Sequence, residues 1–330
     1  MILILSQEEE LNVNNISHIL TRLNQPWFRL NGEDIPLKTR LSFSPTRRVA
    51  DGFLENEYGE RVKLKDIDTV WFRRRGTIQV QQSLLSTQQK FIQTESYYAL
   101  GTLFHLLRDR FWINDFLNEI RAVNKGLQLH LANKIGLRCP DTLITTDPAE
   151  AIAFYDKHKG NVLNKAVGQM GNVEAGDNRE VRLIYSNLIK PEMRESLEAV
   201  RYAPTLLQEY IPKELEFRVT IINRHVFPTA IESQKSEKTR EDWRRYDTKN
   251  TPYYPYIFPR ELNEKLLFLM DQLGLVYGAV DMILHRDTGE FVFLEVNPGG
   301  QWGWVEQMSG HPITETIVDM LISAKKRRAA

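Results

Sequence analysis

The chain has 330 residues, 42% hydrophobic and 26% charged, a globular balance that excludes a disordered or fibrous polypeptide and suffices for two or three domains. Lys+Arg and Asp+Glu both number 43, so the net charge is zero: the basic surplus of a general nucleic-acid binder is absent, and the weak repulsion between copies is compatible with a homodimer. Cys139 is the single cysteine, which excludes an internal disulfide and a cysteine-cluster metal site.

The opening Met1-Ile-Leu-Ile-Leu-Ser is too short for a signal-peptide core and runs at once into Glu8, Glu9 and Glu10, so it reads as a buried first strand. No run reaches the roughly 18 apolar residues that span a bilayer, and the expected location is the cytoplasm. Val13, Ile16, Ile19, Leu20 and Leu23 give residues 12–24 a helical pattern, and Trp27–Leu30 form a second strand, an α/β opening. Short strand candidates alternate with turns over 31–66. The strand from Thr69 ends in Arg73, Arg74 and Arg75, either a solvated strand end or a site for an anion or acidic peptide. A Gln/Ser-rich connection (77–89) leads to a helix over 90–109 with Phe91, Tyr98, Leu103 and Leu106 on its apolar side.

The chain is expected to change domain at 110–118. One helix over 120–135 then ends at Gly136, and a strand follows at 142–145. Asp147-Pro148-Ala149-Glu150 is a helix start: an Asp cap, Pro at the first position and an acid in the first turn. Strands at 161–165 and 181–185 flank a glycine-bearing loop, 168–176. After Thr205-Leu-Leu-Gln-Glu-Tyr-Ile-Pro come strands at Glu216–Ile222 and Val226–Ile231, then a polar, aromatic loop or lid over 233–256. A helix over 260–273 stops at Gly274, strands at Val276–Leu284 and Glu290–Val296 surround a turn, and a last helix covers 313–325.

Several positions carry chemistry. Asp281 interrupts the apolar Gly278-Ala-Val-Asp-Met-Ile, and Glu295 and Asn297, two residues apart on the neighbouring strand, share a face. Carboxylates among apolar residues need partners or a metal. Two carboxylates and an amide oxygen suit Mg²⁺ whose other ligands are phosphate oxygens and water; the bland reading is a strand-end polar pair with Asp281 facing an arginine. Lys165 ends a strand beside the glycine loop, and Lys125 lies near a helix start; each is a phosphate-binding cation or a surface charge. No P-loop or dinucleotide glycine spacing is present. Gln208-Glu209-Tyr210-Ile211 is a crossover able to offer backbone groups to adenine, or a plain hinge. Glu216 and Arg218 share a strand face, fitting a ribose hydroxyl and a transferred phosphate, or a structural ion pair.

Together these pieces resemble the ATP-grasp carboxylate–amine/thiol ligases, over most of the chain after residue 115. The subgroup resembled is the graspetide-maturing, microviridin-type ligases. The resemblance rests on Val70-Trp-Phe-Arg-Arg, Asn124-Lys-Gly-Leu-Gln-Leu, Pro140-Asp-Thr-Leu-Ile-Thr, Glu209-Tyr-Ile-Pro-Lys-Glu-Leu-Glu-Phe-Arg-Val-Thr, Asp242-Trp-Arg, Tyr277-Gly-Ala-Val-Asp-Met-Ile and Leu294-Glu-Val-Asn-Pro. It implies an ATP-grasp fold, α/β with α+β. Residues 1–118 would be an N-terminal pre-ATP-grasp domain, 119–207 the central domain with the phosphate loop, and 208–330 the C-terminal domain with the metal site.

The resemblance also implies roles. Lys125 and Lys165 bind ATP phosphates, Gln208 to Ile211 form the adenine hinge, Glu216 holds ribose, and Asp281, Glu295 and Asn297 hold Mg²⁺. Lys165, Arg218 and Arg244 are the catalytic cations, the arginines stabilising an acyl phosphate. Substrate contacts fall to Arg73, Arg74, Arg75, Asp242, Trp243, Arg244, Gln301 and Trp302. The implied partner is a ribosomal precursor peptide with a leader, docking through 168–204 and 233–256, and a core of Asp/Glu with Ser/Thr or Lys. The reaction is ATP-dependent closure of ω-ester or ω-amide rings. One departure stands out: Asn297 is followed by Pro-Gly-Gly-Gln-Trp-Gly-Trp instead of the Pro-Val-Gly-Glu-Phe-Phe-Trp type of the microviridin enzymes. The alternatives are a ligase joining a free amino acid or amine to a carboxylate, and a catalytically silent peptide-binding protein.

Overall fold

The computed structural model describes residues 1–46, 52–74, 76–168, 172–175, 180–183, 186–240, 243–245, 247 and 249–323; of 172–175, 180–183 and Arg245 it describes the backbone alone. Two compact units result, and they differ from the three expected segments. The first takes Met1–Glu119, Gly274–Tyr277 and the chain from Pro312; the second takes Ile120–Leu273 and Gly278–His311.

The first unit is built on a parallel sheet in the order Trp27–Asn31, Ile2–Ser6, Thr69–Phe72, Phe111–Ile113. Its inner strands read as continuous apolar runs because both faces are covered, the usual state of a parallel sheet. Leu3, Leu5, Phe28, Leu30, Val70 and Phe72 pack with Leu100, Leu103, Phe104, Trp112 and Phe116 into one core. The helix Leu11–Arg22 buries Val13, Ile16, Ser17 and Leu20 on its apolar stripe. The 31–66 region resolves into a separate antiparallel sheet of Arg40–Ser42, Phe53–Glu55 and Arg61–Lys63.

The long helix of this unit spans Ser86–Leu106, four residues earlier at its start than the pattern suggests. The Gln88 side chain reaches back to accept the Leu85 N–H at 3.0 Å and so satisfies an orphan donor at the helix start. Its buried side is Ser96, Leu100, Leu103 and Phe104, while Phe91 and Tyr98 are 65% and 67% exposed, which corrects the apolar face expected for them.

The second unit contains two main sheets. One has the order Asn187–Leu188, Val162–Lys165, Thr205–Glu209, Thr142–Thr145; the other Tyr253–Pro255, His225–Ile231, Lys213–Ile222, Tyr277–His285, Phe291–Asn297. In the larger sheet Phe217 packs against Tyr256 and Phe258, each at a ring separation of 5.0 Å. The helix expected over 120–135 is two helices, Phe116–Ala122 and Lys125–Lys134. The break is a capping event: Asn124 Oδ1 accepts the Leu127 N–H at 3.0 Å, which makes Lys125 the first helical residue. Asp147 caps Pro148–Lys157 in the same way.

Further departures lie in the loops. The expected glycine loop 168–176 contains the strand Asn172–Ala175, paired antiparallel with Glu180–Leu183; residues 169–171 and 176–179 lie outside the described residues. A 3₁₀ helix, Pro191–Tyr202, buries Leu197 and Val200 against the core containing Phe154 and Val162. The 233–256 segment carries the edge strand Tyr253–Pro255. The Gly-Gly-Gln-Trp stretch leads into a short helix, Gly303–Ser309, that the sequence pattern does not indicate.

Candidate active site

The expected metal residues sit on the last two strands of the larger sheet, whose register places Asp281 opposite Glu295 and Ala279 opposite Asn297. The register then slips: Met282 pairs with Phe293, leaving Leu294 as an extra residue in a β-bulge. Side chains on a regular strand alternate between faces. The bulge suspends that rule, so Leu294 and Glu295, adjacent in sequence, both line one cavity with Asp281 and Ile283.

The other walls of that cavity are Lys213 and Glu216 of the larger sheet, Leu163, Lys165, Gln208 and Glu209 of the smaller one, and Ser186, Tyr210, Ile211, Trp243 and Arg244. Its free space is about 50 Å³, far below the roughly 300–1,000 Å³ of ligand pockets, because charged side chains meet across it. Size does not locate the chemistry in this chain. The first unit has a cavity of about 640 Å³ lined by Glu8, Trp27, Arg29, Asp34, Lys38 and Tyr58, and it contains none of the expected site residues.

Arg218 donates to Asp281 Oδ1 at 3.0 Å, both side chains being under a tenth exposed. Glu295 is flanked by Lys125 at 3.2 Å and Arg244 at 3.5 Å. Burial pushes the Asp281 carboxyl above its ordinary range, with Arg218 pulling it back. Burial opposes charge on Glu295 too, but Lys125, Arg244 and Lys165 outweigh it and hold that carboxyl below the ordinary range. Gly300 makes room for this arrangement: a Cβ there would lie 2.5 Å from Arg218 Nη2 and 2.4 Å from Ala279 Cβ. Arg218 also lies over the Trp243 ring, Cζ at 5.9 Å from its centre, and Trp243 packs on Trp304 at 5.0 Å.

Lys165 is aimed by a relay. Its Nζ donates to Gln208 Oε1 at 2.6 Å, Gln208 Nε2 donates to Thr142 Oγ1 at 3.0 Å, and Thr142 Oγ1 donates to the Pro140 carbonyl at 2.9 Å. Gln208 and Glu209 therefore belong to a strand, not to the crossover expected of them, and Gln208 acts through its side chain. The N–H groups of Glu209 and Tyr210 donate to the Asp141 and Asn161 carbonyls, both at 2.9 Å, so only the exit at Tyr210–Ile211 remains for the expected hinge. Glu216 forms a buried pair with Lys213 at 3.0 Å.

The structure thus brings together Lys125, Lys165, Gln208, Glu209, Tyr210, Ile211, Glu216, Arg218, Trp243, Arg244, Asp281 and Glu295. Asn297 continues their strand; its side chain is exposed and its Oδ1 accepts the Gly299 N–H at 3.0 Å, with a lone pair remaining. Trp302 is 1% exposed and is a core residue, which corrects its expected substrate contact; Gln301 is exposed. Arg73 is 2% exposed and faces Glu10 at 3.6 Å inside the first unit, so it is not offered to a peptide there; Arg74 is half-buried on the same carboxylate at 3.4 Å. Arg75 and Asp242 lie outside the described residues. Sequence reasoning missed Lys213, the Leu294 bulge and Gln128. A lysine beside the exposed Glu214 and a glutamine in a helix look like ordinary surface residues.

The donor set fits a hard divalent cation. Asp281, Glu295 and the Asn297 amide would supply three oxygen ligands and leave positions for phosphate and water, as Mg²⁺ prefers; among the described residues no three His, Cys, Asp or Glu side chains cluster. The cations already beside Asp281 and Glu295 show that both carboxylates are set to balance positive charge.

Two sheets that share such a cavity, one contributing Lys165 and Gln208 and the other Lys213, Glu216, Asp281 and Glu295, have the ATP-grasp fold. The MvdD pre-ATP grasp domain matches residues 1–120. The macrocyclase MdnC of Microcystis aeruginosa MRC, solved with precursor peptide MdnA, is similar at a TM-score of 0.85 and 25% identity, over 98% of this chain and 100% of that one. A RiPP-associated ATP-grasp ligase of Chryseobacterium gregarium, solved with ADP and a leader and core peptide, matches at 0.85 and 27%, over 98% and 96% of the two chains. The alpha-aminoadipate–LysW ligase LysX of Saccharolobus solfataricus is 27% identical over 184 residues, 54% of this chain and 63% of that protein, so the chain spans under two thirds of that relative. Residues 1–120 thus belong to the MvdD pre-ATP grasp family, and the chain as a whole is similar to ATP-grasp ligases of the graspetide type.

Proposed function

We propose that this protein closes rings in a ribosomal precursor peptide at the expense of ATP. The observation that carries the reading is the cavity lined by Lys165, Arg244, Asp281 and Glu295, with Arg218 and Lys125 paired to those two carboxylates. A carboxylate substrate and a nucleotide phosphate both need cations to approach each other; Asp281, Glu295 and Asn297 would hold a divalent ion, which would neutralise phosphate charge. The apolar Leu163, Ile211, Ile283 and Leu294 suit the faces of adenine, the exit at Tyr210–Ile211 its edge, and Glu216 the ribose.

In this reading Lys165 and Lys125 hold the phosphates. A peptide Asp or Glu oxygen forms a bond to the γ-phosphorus as the bond to the β-phosphate oxygen breaks and ADP departs. Arg218 and Arg244 balance charge on the acyl phosphate. A Ser/Thr hydroxyl or Lys amine of the same peptide then attacks the carbonyl carbon, the C–O bond to phosphate breaks, phosphate departs, and the nucleophile's proton is lost to solvent. Positioning and charge neutralisation suffice for both steps.

Likeness to LysX supports a second reading, ligation of a separate amino-acid amine to a carboxylate. Mass spectrometry of the cognate precursor with enzyme and Mg-ATP separates the two. Ring closure gives ADP and the loss of one water per ring; a gain matching a second substrate defeats the macrocyclase reading, and ADP release dependent on neither substrate defeats both.

A further inference from the structure

Among the described residues the strand Phe291–Asn297 ends the larger sheet, with Tyr277–His285 as its one partner strand. An edge strand exposes backbone donors and acceptors that need partners when buried. At its start the partner is a bridge, Phe293 N–H donating to the Arg138 carbonyl at 2.8 Å. Near its end the partner is a side chain. Gln128 Oε1 accepts the Val296 N–H at 2.7 Å, and Gln128 Nε2 donates to the Val296 carbonyl at 2.8 Å.

Both hydrogen-bonding groups of one residue are thereby gripped as a neighbouring strand would grip them. The second hydrogen of Gln128 Nε2 goes to the Ala122 carbonyl at 2.5 Å, and the residue is 1% exposed. The amide has two donors and here an acceptor engaged with backbone alone, so it has one orientation that satisfies all of them.

Val296 lies between Glu295 and Asn297, and Gln128 lies one turn along the helix that begins at Lys125. Lys125 is the cation 3.2 Å from Glu295. We infer that Gln128 is a positioning residue of the metal–nucleotide site. By clamping Val296 to the helix of Lys125, it fixes where Glu295 and Asn297 present their oxygens and how far Lys125 stands from them. The bulge at Leu294 makes such a clamp necessary, since it loosens the ladder one residue before Glu295. The inference rests on the assignment of Glu295 and Asn297 as metal ligands.

The test compares Gln128→Met, of similar length and unable to bond either group of Val296, with Gln128→Glu, which keeps an acceptor but sets a carboxyl against two carbonyls. Asn114→Ala is the control. Asn114 clamps Val276 and Tyr277 by an equivalent set of bonds at 2.8–2.9 Å, at a place with no proposed ligand beside it. ADP binding to each folded variant is titrated by tryptophan fluorescence with Mg²⁺ and with excess chelator, alongside thermal unfolding. The expected result is Mg-dependent ADP affinity weakened about tenfold or more in both Gln128 variants, the order expected when a residue supporting a metal ligand is lost. Excess Mg²⁺ should partly restore it, and Asn114→Ala should lower the unfolding temperature but leave that affinity within about twofold. Wild-type Mg-ADP affinity in either folded Gln128 variant overturns the inference; if Gln128→Met fails to fold, Gln128→Glu decides. Equal weakening by Asn114→Ala also overturns it, by showing a general loss of stability. If wild-type protein binds ADP identically with and without Mg²⁺, the metal assignment itself has failed.

Discussion

Buried arginine–carboxylate contacts occur in both units with different consequences. In the first, Glu10 is 3% exposed between Arg73 and Arg74, and the contact is closed into the unit's interior. In the second, Arg244, Asp281 and Glu295 line a cavity together with Lys165, Lys213 and Glu216, and Arg218 and Lys125 pair with its carboxylates. One buried ion pair is weak evidence of function, because breaking it chiefly leaves a charge uncompensated. Convergence of several charged groups, from different strands, on one cavity is evidence of another kind, since folding alone gains little from placing cations side by side.

The sharpest contrast is between Lys165→Ala and Arg73→Met. Lys165→Ala is expected to lower the rate of ring formation about a hundred- to a thousandfold, the loss expected for one electrostatic contact to the reacting group. Its stability cost should be only about 1 kcal/mol, for leaving Gln208 Oε1 without its donor. Arg73→Met should do the reverse: about 2–3 kcal/mol of stability lost, less than for a fully broken buried pair because Arg74 still faces Glu10, with turnover of the folded enzyme unchanged. Urea unfolding and precursor mass spectrometry on both variants measure the two axes. A large rate loss in Arg73→Met would move that arginine into the chemistry and erase the distinction.

Gly300→Ala probes the convergence without removing a charge. The new methyl must displace Arg218 or Ala279, so the expected stability loss is about 1–3 kcal/mol from overpacking. The shift of Arg218 should slow ring formation by on the order of 10–100-fold. A variant of native activity would mean that the position of Arg218 does not matter to catalysis. This glycine lies in the Pro-Gly-Gly-Gln-Trp departure, so the same experiment asks whether that departure serves the arginine.

What was legible in the sequence follows from how local the physics is. Asp147 and Pro148 begin a helix by contacts within one turn, and that helix starts where expected. Asp281 and Glu295 could be paired because each interrupts an apolar strand and a short turn joins the two strands. The bulge at Leu294 was not legible, because an added residue leaves Phe-Val-Phe-Leu-Glu-Val-Asn apolar in either register. Asn124 falls inside the single helix expected over 120–135, although asparagine is a favoured N-cap residue. Phe91 and Tyr98 fit a helical stripe as well as Leu100, Leu103 and Phe104 do, and periodicity alone does not say which stripe meets the core. Gln128 is the extreme case, since a buried side chain bonded wholly to backbone leaves no pattern in composition or spacing.

The smallest effect should come from a charged cluster at the hinge that does not enter the cavity. Asp141 meets Lys157 at 2.6 Å and His158 at 2.9 Å, and its main chain exchanges bonds with Glu209 on the strand that carries Gln208. The Lys157 hydrogen bond leads the causes that hold its carboxyl below the ordinary range; burial opposes it and His158 assists. A carboxyl lowered on folding contributes stability that is present above its unfolded value of about 3.9 and fades as pH falls through the lower folded value. With the Asp141 side chain 40% exposed, solvent screens most of this contribution. Asp141→Asn should therefore cost no more than about 0.5 kcal/mol near neutral pH. That difference from the wild type should close in acid, where both side chains are uncharged, and shrink in high salt. The rate of ring formation should stay within about twofold of wild type, because the backbone bonds that tie Asp141 to Glu209 do not depend on the carboxylate. Urea unfolding across pH, paired with the ring-closure assay, measures both. A deficit that persists in acid would assign the loss to packing, and a large rate effect would show that the hinge transmits this surface charge to the cavity, joining two regions that the geometry keeps chemically separate.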